Sequence, residues 1–143
     1  MGNKYSLKVF LVDTDPFCLS LYRQQLNNLG YLQTTTFNSA ACCLDNLVQQ
    51  PDVIFIDYSM DVVAELGILK RIKKFNPDIY VVFIVAPEDI EAATSSLKHG
   101  AFNFAVKRDH ELEGASKILS SIYEIGEMFK QANLSFIRKF PAN

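Results

Sequence analysis

The chain has 143 residues, of which 49% are hydrophobic and 21% are charged, and its formal net charge is -2 at pH 7. This length suits one domain with a single sizeable core and leaves no room for a second domain. The near-neutral charge gives no electrostatic footprint for nucleic acid, and no apolar run is long enough to span a bilayer. We therefore expect a globular domain that binds neither nucleic acid directly nor a membrane.

The three cysteines, Cys18, Cys42 and Cys43, have no metal-ligand spacing and leave one thiol without a disulfide partner. Two of them are neighbours inside a helical pattern. We interpret all three as reduced, mostly buried thiols, which is typical of cytoplasmic proteins.

The first predicted unit is a strand over residues 7–12 that ends on Asp13, followed by a helix. Asp15 is the expected N-cap of that helix, with Pro16 in the first helical position and Gly30 as the C-terminal stop. The apolar residues of the helix recur at roughly helical spacing: Phe17, Leu21, Leu26 and Leu29.

The second predicted unit is weaker. Residues 31–36 form a more polar strand, which is typical of a position near a sheet edge. Ser39 then caps a helix that runs to about Gln49. The inward-facing positions of this helix are Ala40, Cys43, Leu44 and Leu47.

The strongest strand signal is Val53–Asp57, which contains four apolar residues and ends on a carboxylate. A continuous apolar run of this length is typical of a strand buried on both faces of a parallel sheet. Asp57 is then a candidate site residue, because ligands of open α/β sheets bind outside the carboxyl ends of the strands. The commoner role of such an Asp is to cap a helix or to shape a turn.

Three more segments complete the pattern. A helix is predicted over residues 65–75, with Leu66, Leu69 and Ile72 facing inward, and an apolar strand over residues 79–85. A helix then runs from Pro87 to Gly100, and a short strand over residues 102–106 stops at Lys107. A final amphipathic helix begins near residues 110–112. Five βα units with short connections predict a parallel sheet with helices on both faces.

Four strand ends should meet in this architecture. Asp13, Asp57, Val85 and Lys107 follow or end the four strongest strands, so they should face one crevice. Two carboxylates suit Mg²⁺, which proteins usually hold with one or two carboxylates plus phosphate oxygens and water. A lysine beside them can neutralise a phosphoryl group. The alternative is that Asp13 and Lys107 form an ion pair over a buried carboxylate.

The order and spacing of these motifs resemble those of a response-regulator receiver domain of bacterial two-component signalling. The resemblance covers residues 7–128 and rests on four stretches: VFLVD at 9–13, PDVIFIDYSM at 51–60, LKRI to NPD at 69–78, and LKHGAFNFAVK at 97–107. It implies a flavodoxin-like (βα)5 fold, in which a doubly wound, five-stranded parallel sheet has the strand order 2-1-3-4-5.

The resemblance also implies roles for individual residues. Asp57 would be the phospho-acceptor, supplied by a histidine kinase or a phosphotransfer protein. Asp13, Asp57 and the backbone carbonyl of Ser59 would hold Mg²⁺. Lys107 would pair with the phosphoryl oxygens, and Phe104 would occupy the position of the aromatic switch residue.

The chain departs from the family pattern at its site. Thr14 stands where a second acidic residue is usual, which predicts weak Mg²⁺ binding. Val85 stands where the family has a Thr or Ser whose hydroxyl follows the phosphoryl group, so switching through that hydroxyl is not available. Three further departures lie in the adjoining loops: Asp61 for a proline, Ala64-Glu65 for Asp-Gly, and Arg108 for a proline.

Three functions fit these residues to different degrees. Asp13, Asp57 and Lys107 favour a receiver that accepts phosphate, with at most Mg²⁺-dependent self-phosphorylation and slow dephosphorylation as its chemistry. Thr14 and Val85 favour the alternative, a pseudo-receiver that binds partners without phosphorylation. Asp13-Thr14-Asp15 also resembles the nucleophile motif of haloacid-dehalogenase-type phosphatases, but such a short motif is weak evidence on its own.

We assign residues 1–132 to the receiver domain and residues 133–143 to a C-terminal extension or linker. The final helix has an apolar seam at spacings of three and four, formed by Ala115, Ile118, Ile122, Ile125, Phe129, Ala132 and Phe136. Its first part should pack on the sheet. Beyond the sheet, Ile125, Phe129 and Phe136 would be exposed, which predicts a homodimer or a contact with an effector domain through them.

Overall fold

The computed structural model describes residues 3–58 and 62–139. In this part of the chain, six strands form one sheet in the order β2-β1-β3-β4-β5-β6. The strands are β1 Val9–Val12, β2 Thr34–Phe37, β3 Val53–Asp57, β4 Tyr80–Val85, β5 Asn103–Arg108 and β6 Glu111–Glu113. The helices are α1 Pro16–Asn28, α2 Ala40–Asp45, α3 Val62–Phe75, α4 Ile90–Thr94 and α5 Ala115–Lys139. The first five strands are parallel, so the predicted order 2-1-3-4-5 is confirmed, with one short antiparallel edge strand added.

The sheet is covered on both faces. Alternate residues of β1 and β3 belong to opposite clusters, because successive side chains of a strand point to opposite faces. Val9 and Leu11 pack with residues of α1 and α5, whereas Phe10 and Val12 pack with residues of α2, α3 and α4. This double coverage explains why the central strands have continuous apolar sequences rather than alternating ones.

Helix α1 begins as the sequence predicts, because the Asp15 side chain accepts a hydrogen bond from the Phe17 backbone N–H at 2.9 Å and Pro16 is the first helical residue. Its inward face differs from the predicted apolar set. Phe17 is 59% exposed, and of that set only Leu26 is fully buried. The helix meets the sheet through Cys18, Leu19, Tyr22 and Leu26, a stripe that is half cysteine and tyrosine.

The second unit is more compact than predicted. Strand β2 begins at Thr34, and α2 ends at Asp45, followed by a 3₁₀ turn at Leu47–Gln49. Ser39 caps α2 as expected, since its hydroxyl accepts a hydrogen bond from the Cys42 N–H at 3.1 Å. All three cysteines are free. Cys18 and Cys43 are buried as predicted, whereas Cys42 is exposed.

The segment between β4 and β5 is only partly α-helical. Helix α4 is five residues long and lies between 3₁₀ turns at Pro87–Asp89 and Ser95–His99. Gly100 ends the segment with a φ of 107°, a left-handed conformation that glycine adopts without steric cost.

The prediction that the last helix begins near residues 110–112 is wrong. Asp109 and His110 both have positive φ and form a tight two-residue turn, which reverses the chain into β6. An ion pair of 2.8 Å between Arg108 and Glu113 joins the two strands of this hairpin. Helix α5 starts only at Ala115, and the alternation of Glu111–Glu113 belongs to a strand.

A side chain from α1 fixes the hairpin. The Gln25 amide nitrogen donates to the Leu112 carbonyl at 3.0 Å, and the Gln25 amide oxygen accepts from the Leu112 N–H at 2.8 Å. Leu112 itself is buried in the core. The outward-facing backbone groups at the centre of this edge strand therefore have partners within the domain.

Helix α5 extends well past the sheet. Ala115, Ile118 and Ile122 are buried as predicted, whereas Ile125, which was predicted to be exposed, is partly buried. Phe129 is 66% exposed, which also agrees with the prediction, whereas the Phe136 side chain lies outside the described part of the chain. The helix continues through residues 132 and 133, so the predicted domain boundary there stays a prediction. Within the described residues, no helix is long and apolar enough to cross a membrane.

The Gln25 contact leads to a stability test. Gln25→Ala should lower the free energy of unfolding by roughly 1–3 kcal/mol, because it leaves two backbone groups of a buried residue without hydrogen bonds. The measurement is urea denaturation followed by circular dichroism. Gln24→Ala, at the exposed neighbouring position, makes the same side-chain change and should have little effect. Equal denaturation midpoints for the two variants would contradict the role given to Gln25.

Candidate functional site

Two carboxylates lie side by side at one edge of the sheet. Val12, the last residue of β1, pairs with Ile56 of β3, so Asp13 and Asp57 are the next residues on neighbouring strands. The β1–β3 pairing is parallel, and both strand ends therefore open on the same crevice. The structure brings these two predicted site residues together.

Asp13 is the more deeply buried of the two, with 4% of its surface exposed. Its Oδ1 accepts a hydrogen bond from the Asp15 N–H at 2.9 Å. Its Oδ2 is buried and has no hydrogen-bond partner in the protein. A buried carboxylate oxygen without a partner is costly and marks a place where a cation or a water molecule is expected to bind.

The carboxylate of Asp57 is held in an unfavourable environment. Burial raises its pKa to about 6, and the negative charges of Asp13 and Glu65 act in the same direction. Lys107 lowers the pKa but does not cancel these effects. The surroundings of Asp57 therefore disfavour its ionised form, although the carboxyl is mostly ionised at neutral pH.

The space next to these carboxylates is a small pocket of about 190 Å³. Asp13, Asp57 and Glu65 contribute three carboxylates to its wall, and Thr14 and Ser39 contribute hydroxyls. The other lining residues are apolar, and none of them is a lysine or arginine. Two larger clefts of about 610 and 660 Å³ flank α1, but neither is lined by these three carboxylates.

Lys107 lies near the carboxylates without pairing with them. Burial alone would lower the pKa of Lys107, but Cys18, Asp13 and Asp57 outweigh that effect and raise it. Among the described residues, no ion pair within 4 Å joins Lys107 to Asp13 or Asp57. The predicted alternative, an ion pair of Asp13 with Lys107 over a buried carboxylate, is therefore not found in the structure.

The two predicted switch positions share one apolar cluster. Val85, at the end of β4, is 1% exposed, and Phe104 of β5 is partly buried against the same group of side chains. The β4–β5 register pairs Phe104 with Phe83 and Val85 with Val106. The side chain of Val85 has no polar atom, so it offers no hydrogen-bonding group at this strand end.

The structure places the remaining predicted site residues, Thr14 and Asp15, in different roles, and Ser59 is not among the described residues. Thr14 is exposed and lines the pocket beside Asp13. Ser59, predicted to offer a carbonyl to Mg²⁺, lies outside the described residues. Asp15 caps α1, and the backbone N–H of Phe17 lowers its pKa, which favours a structural role over the phosphatase motif.

The donor set is compatible with Mg²⁺. Two carboxylates on adjacent strand ends, one with a buried oxygen that lacks a partner, match the one or two carboxylates that usually hold this ion. Across residues 3–58 and 62–139, no three His, Cys, Asp or Glu side chains are close enough to hold a metal ion by themselves. Water and phosphate oxygens would have to complete the coordination.

Sequence reasoning did not assign Glu65 to the site. It noted only that the turn after β3 departs from the family pattern. Glu65 lies in the first turn of α3, eight positions after Asp57, and is 4% exposed. A helix that starts this soon after a strand places its first turn at the carboxyl edge of the sheet, and that signal could have identified Glu65.

Comparison with known proteins identifies the receiver domain that the sequence motifs resemble. The family model described as the response regulator receiver domain matches residues 9–118. The DNA-binding transcriptional regulator NtrC of Escherichia coli (strain K12) is 34% identical over 100 residues, which are 69% of this chain and 21% of that protein. The chain thus matches about a fifth of the length of the relatives that it resembles.

Solved structures agree in fold. The crystal structure of NtrX from Brucella abortus in complex with ADP has a TM-score of 0.70 and 26% identity, over 92% of this chain and 29% of that one. The solution structure of the receiver domain of nitrogen regulatory protein C has a TM-score of 0.65 and 26% identity, over 90% of this chain and 99% of that one. The similarity therefore extends over most of the present chain.

The raised pKa of Asp57 predicts a pH-dependent cost in stability. Its usual pKa is 3.8 and its folded value is about 6, so the folded protein binds more protons between these values. The free energy of unfolding should then fall as the pH rises through this window and stay lower above it.

Asp57→Asn removes the ionisable group. In EDTA at pH 7.5, we expect this variant to be more stable than wild type by roughly 1–3 kcal/mol. The difference should shrink towards zero near pH 4. Urea denaturation at both pH values makes the measurement, with Asp45→Asn at an exposed position as the control. A variant that is less stable than wild type at pH 7.5 would disprove the repulsion described for this site.

Proposed function

This chain belongs to the response-regulator receiver domain family of two-component signalling, and on that premise we propose that Asp57 accepts a phosphoryl group from a histidine kinase or a phosphotransfer protein. The observation that carries the proposal is the position of Asp57 beside Asp13 at the edge of the pocket. The relatives are much longer than this chain, so the partners that we name are part of the proposal.

The proposed chemistry is a nucleophilic substitution at phosphorus. A carboxylate oxygen of Asp57 attacks the phosphorus of the donor, and the bond from phosphorus to the donor imidazole nitrogen breaks. The imidazole leaves with the bonding electrons and takes up a proton, which leaves an acyl phosphate on Asp57. With a pKa of about 6, Asp57 is mostly ionised at pH 7 and can act as the nucleophile.

Asp13 and Asp57 would hold Mg²⁺, with the unpartnered Oδ2 of Asp13 as one ligand. When bound, the ion supplies positive charge that offsets the negative charge of the phosphoryl oxygens. The Ser59 carbonyl stays a predicted further ligand. We propose weaker Mg²⁺ binding than in receivers with three acidic residues at the strand ends, because Thr14 carries no charge.

Lys107 would pair with the phosphoryl group. Its ammonium group lies close enough to Asp57 to lower the pKa of that carboxyl. A phosphoryl group on Asp57 carries more negative charge than the carboxylate and would attract this ammonium more strongly.

The output of the domain would be unconventional, because Val85 cannot donate or accept a hydrogen bond. Phosphorylation would then act on the surface near Phe104 mainly through charge, with no side-chain hydroxyl to follow the phosphoryl group. Thr14 and Val85 are the features that would suit a pseudo-receiver. The neighbouring carboxylates and Lys107 favour phosphorylation over that alternative.

We further propose that the domain signals from the cytoplasm through protein contacts, as a homodimer or together with an effector domain. The exposed Phe129 supports a contact through the end of α5, where Ile125 and Phe136 complete the predicted seam. The net charge of -2 does not favour direct binding of nucleic acid by this domain. The proposal gives the chain no catalysis beyond its own phosphorylation and dephosphorylation.

The phosphorylation proposal has a direct test. Incubation with acetyl phosphate and Mg²⁺ should add the mass of one phosphoryl group to the intact protein, and Asp57→Asn should show no increase. Peptide mapping should place the group on Asp57, because among the described residues only this carboxylate ends a strand beside a second carboxylate and a lysine. A label on Asp13 or on any Ser or Thr would disprove the assignment.

The hydroxyl-less switch position gives a second test. Beryllofluoride, which mimics a phosphoryl group, should cause only small amide chemical-shift changes around Phe104 in the wild type. Val85→Thr should enlarge them, at a stability cost of roughly 1–3 kcal/mol from the buried hydroxyl. Val85→Ala changes the volume without adding a hydroxyl and is the control. Equal changes in wild type and Val85→Thr would refute the coupling.

The seam on α5 gives a third test. Sedimentation at tens of micromolar should show a dimer for wild type and a monomer for Ile125→Asp combined with Phe129→Asp, since charges in an apolar contact are unfavourable. Gln131→Asp places a charge on another side of the same helix and should leave the dimer intact. A monomeric wild type would leave only the effector contact or the linker role for this stretch.

A further inference from the structure

Glu65 shares the acidic pocket although it lies on a different element from Asp13 and Asp57. Its side chain comes from the first turn of α3, is 4% exposed and lines the same pocket of about 190 Å³. Its charge reaches Asp57, because Glu65 contributes to the raised pKa of that carboxyl. The charges of Asp13 and Glu65 therefore both act on Asp57, and all three residues line one small pocket.

Such an arrangement is unfavourable without a cation. Burial removes water that would stabilise each carboxylate, and like charges at short range add repulsion. The first turn of α3 favours a negative charge through the helix dipole, but this effect is small beside the cost of burial. Among the described residues that line the pocket there is no lysine or arginine, and Lys107, which lies nearby, does not cancel the effects of burial and like charge on Asp57.

A second observation points to a bound cation at this place. Asp13 lines the same pocket, and its Oδ2 is buried and has no hydrogen-bond partner in the protein. An oxygen in that state needs a cation or a water molecule. An unpartnered carboxylate oxygen of Asp13 and two further acidic residues thus belong to one pocket.

We propose that Glu65 is a positioning residue for Mg²⁺, supplying from α3 the third negative charge that Thr14 does not supply from the end of β1. Within the described residues no three such side chains are close enough to hold a metal together, so Glu65 acts through a metal-bound water. Mg²⁺ keeps several of its waters in protein sites, which makes this outer contact ordinary. The inference rests on the proposed function, because it deepens the Mg²⁺ site of the phospho-acceptor.

The experiment is a Mg²⁺ titration of the full chain without any phosphodonor, followed by isothermal calorimetry and by the Mg²⁺-induced rise in melting temperature. Glu65→Gln keeps the shape of the side chain and removes its charge. We expect it to raise the Kd for Mg²⁺ about tenfold, as a lost charge at this range should. Glu91→Gln removes the same charge from an exposed position on α4 and should change the Kd less than twofold.

A rescue variant separates a role in metal binding from a role in folding. Thr14→Asp restores an acidic residue beside Asp13, and it should tighten Mg²⁺ binding more in the Glu65→Gln background than in wild type. Circular dichroism of each variant checks that it is folded. If Glu65→Gln does not fold, Glu65→Asp, which keeps the charge on a shorter side chain, should bind Mg²⁺ within about threefold of wild type. Weaker binding than that would overturn the proposal.

The outcomes distinguish this inference from the proposed function. Wild-type protein that binds Mg²⁺ and is phosphorylated, together with Glu65→Gln of equal affinity, overturns the role of Glu65 and leaves the function intact. Wild-type protein that neither binds Mg²⁺ nor accepts phosphate overturns both. Mg²⁺ binding that depends on Glu65, without phosphorylation by any donor, supports the inference and contradicts the function.

Discussion

The burial of the Asp57 carboxylate beside Asp13 is the constraint on which the site depends, because burial, and then the charge of Asp13, raise the pKa of Asp57. Placing two carboxylates side by side is unfavourable, but the pairing of Val12 with Ile56 fixes their positions. That register is fixed because a shift by one residue would move every side chain of a strand to the opposite face of the sheet. The packing of the core thus fixes an unfavourable arrangement of negative charges at the edge of the sheet. A bound divalent cation would reduce the repulsion between them.

The same core separates rigid parts from less regular ones. The strands that carry the carboxylates are buried on both faces, so packing holds their ends in fixed positions. The segment around α4 is a short helix between two 3₁₀ turns, and it packs on the cluster that contains Val85 and Phe104. If the charge of Asp57 changed, the buried strands would resist rearrangement. The short α4 segment would be the part that is able to move. Without a hydroxyl at Val85, electrostatics must couple the two.

The sequence was most informative where burial dictates the pattern. Continuous apolar strands predicted a parallel sheet and the meeting of Asp13 with Asp57, whereas the strand order was implied by the family resemblance. Prediction was wrong for the start of α5, because Asp109 and His110 adopt left-handed conformations without any glycine to signal the turn. Glu65 was missed because the pattern of α3 shows only which residues face the core, and the burial of Glu65 beside the strand ends follows from how α3 packs on the sheet. Local backbone choices of this kind are decided by tertiary contacts such as that of Gln25.

A crystal structure of the wild-type chain grown with Mg²⁺ and beryllofluoride tests the central claim most directly. That claim is our proposal that Asp13 and Asp57 together form a site for a cation and a phosphoryl group. We predict beryllium bonded to a carboxylate oxygen of Asp57, Mg²⁺ bound to both Asp13 and Asp57, and the Lys107 ammonium within hydrogen-bond distance of the fluorides. An unmodified Asp57 and a pocket that contains only water, under conditions in which both reagents are in excess, would contradict it.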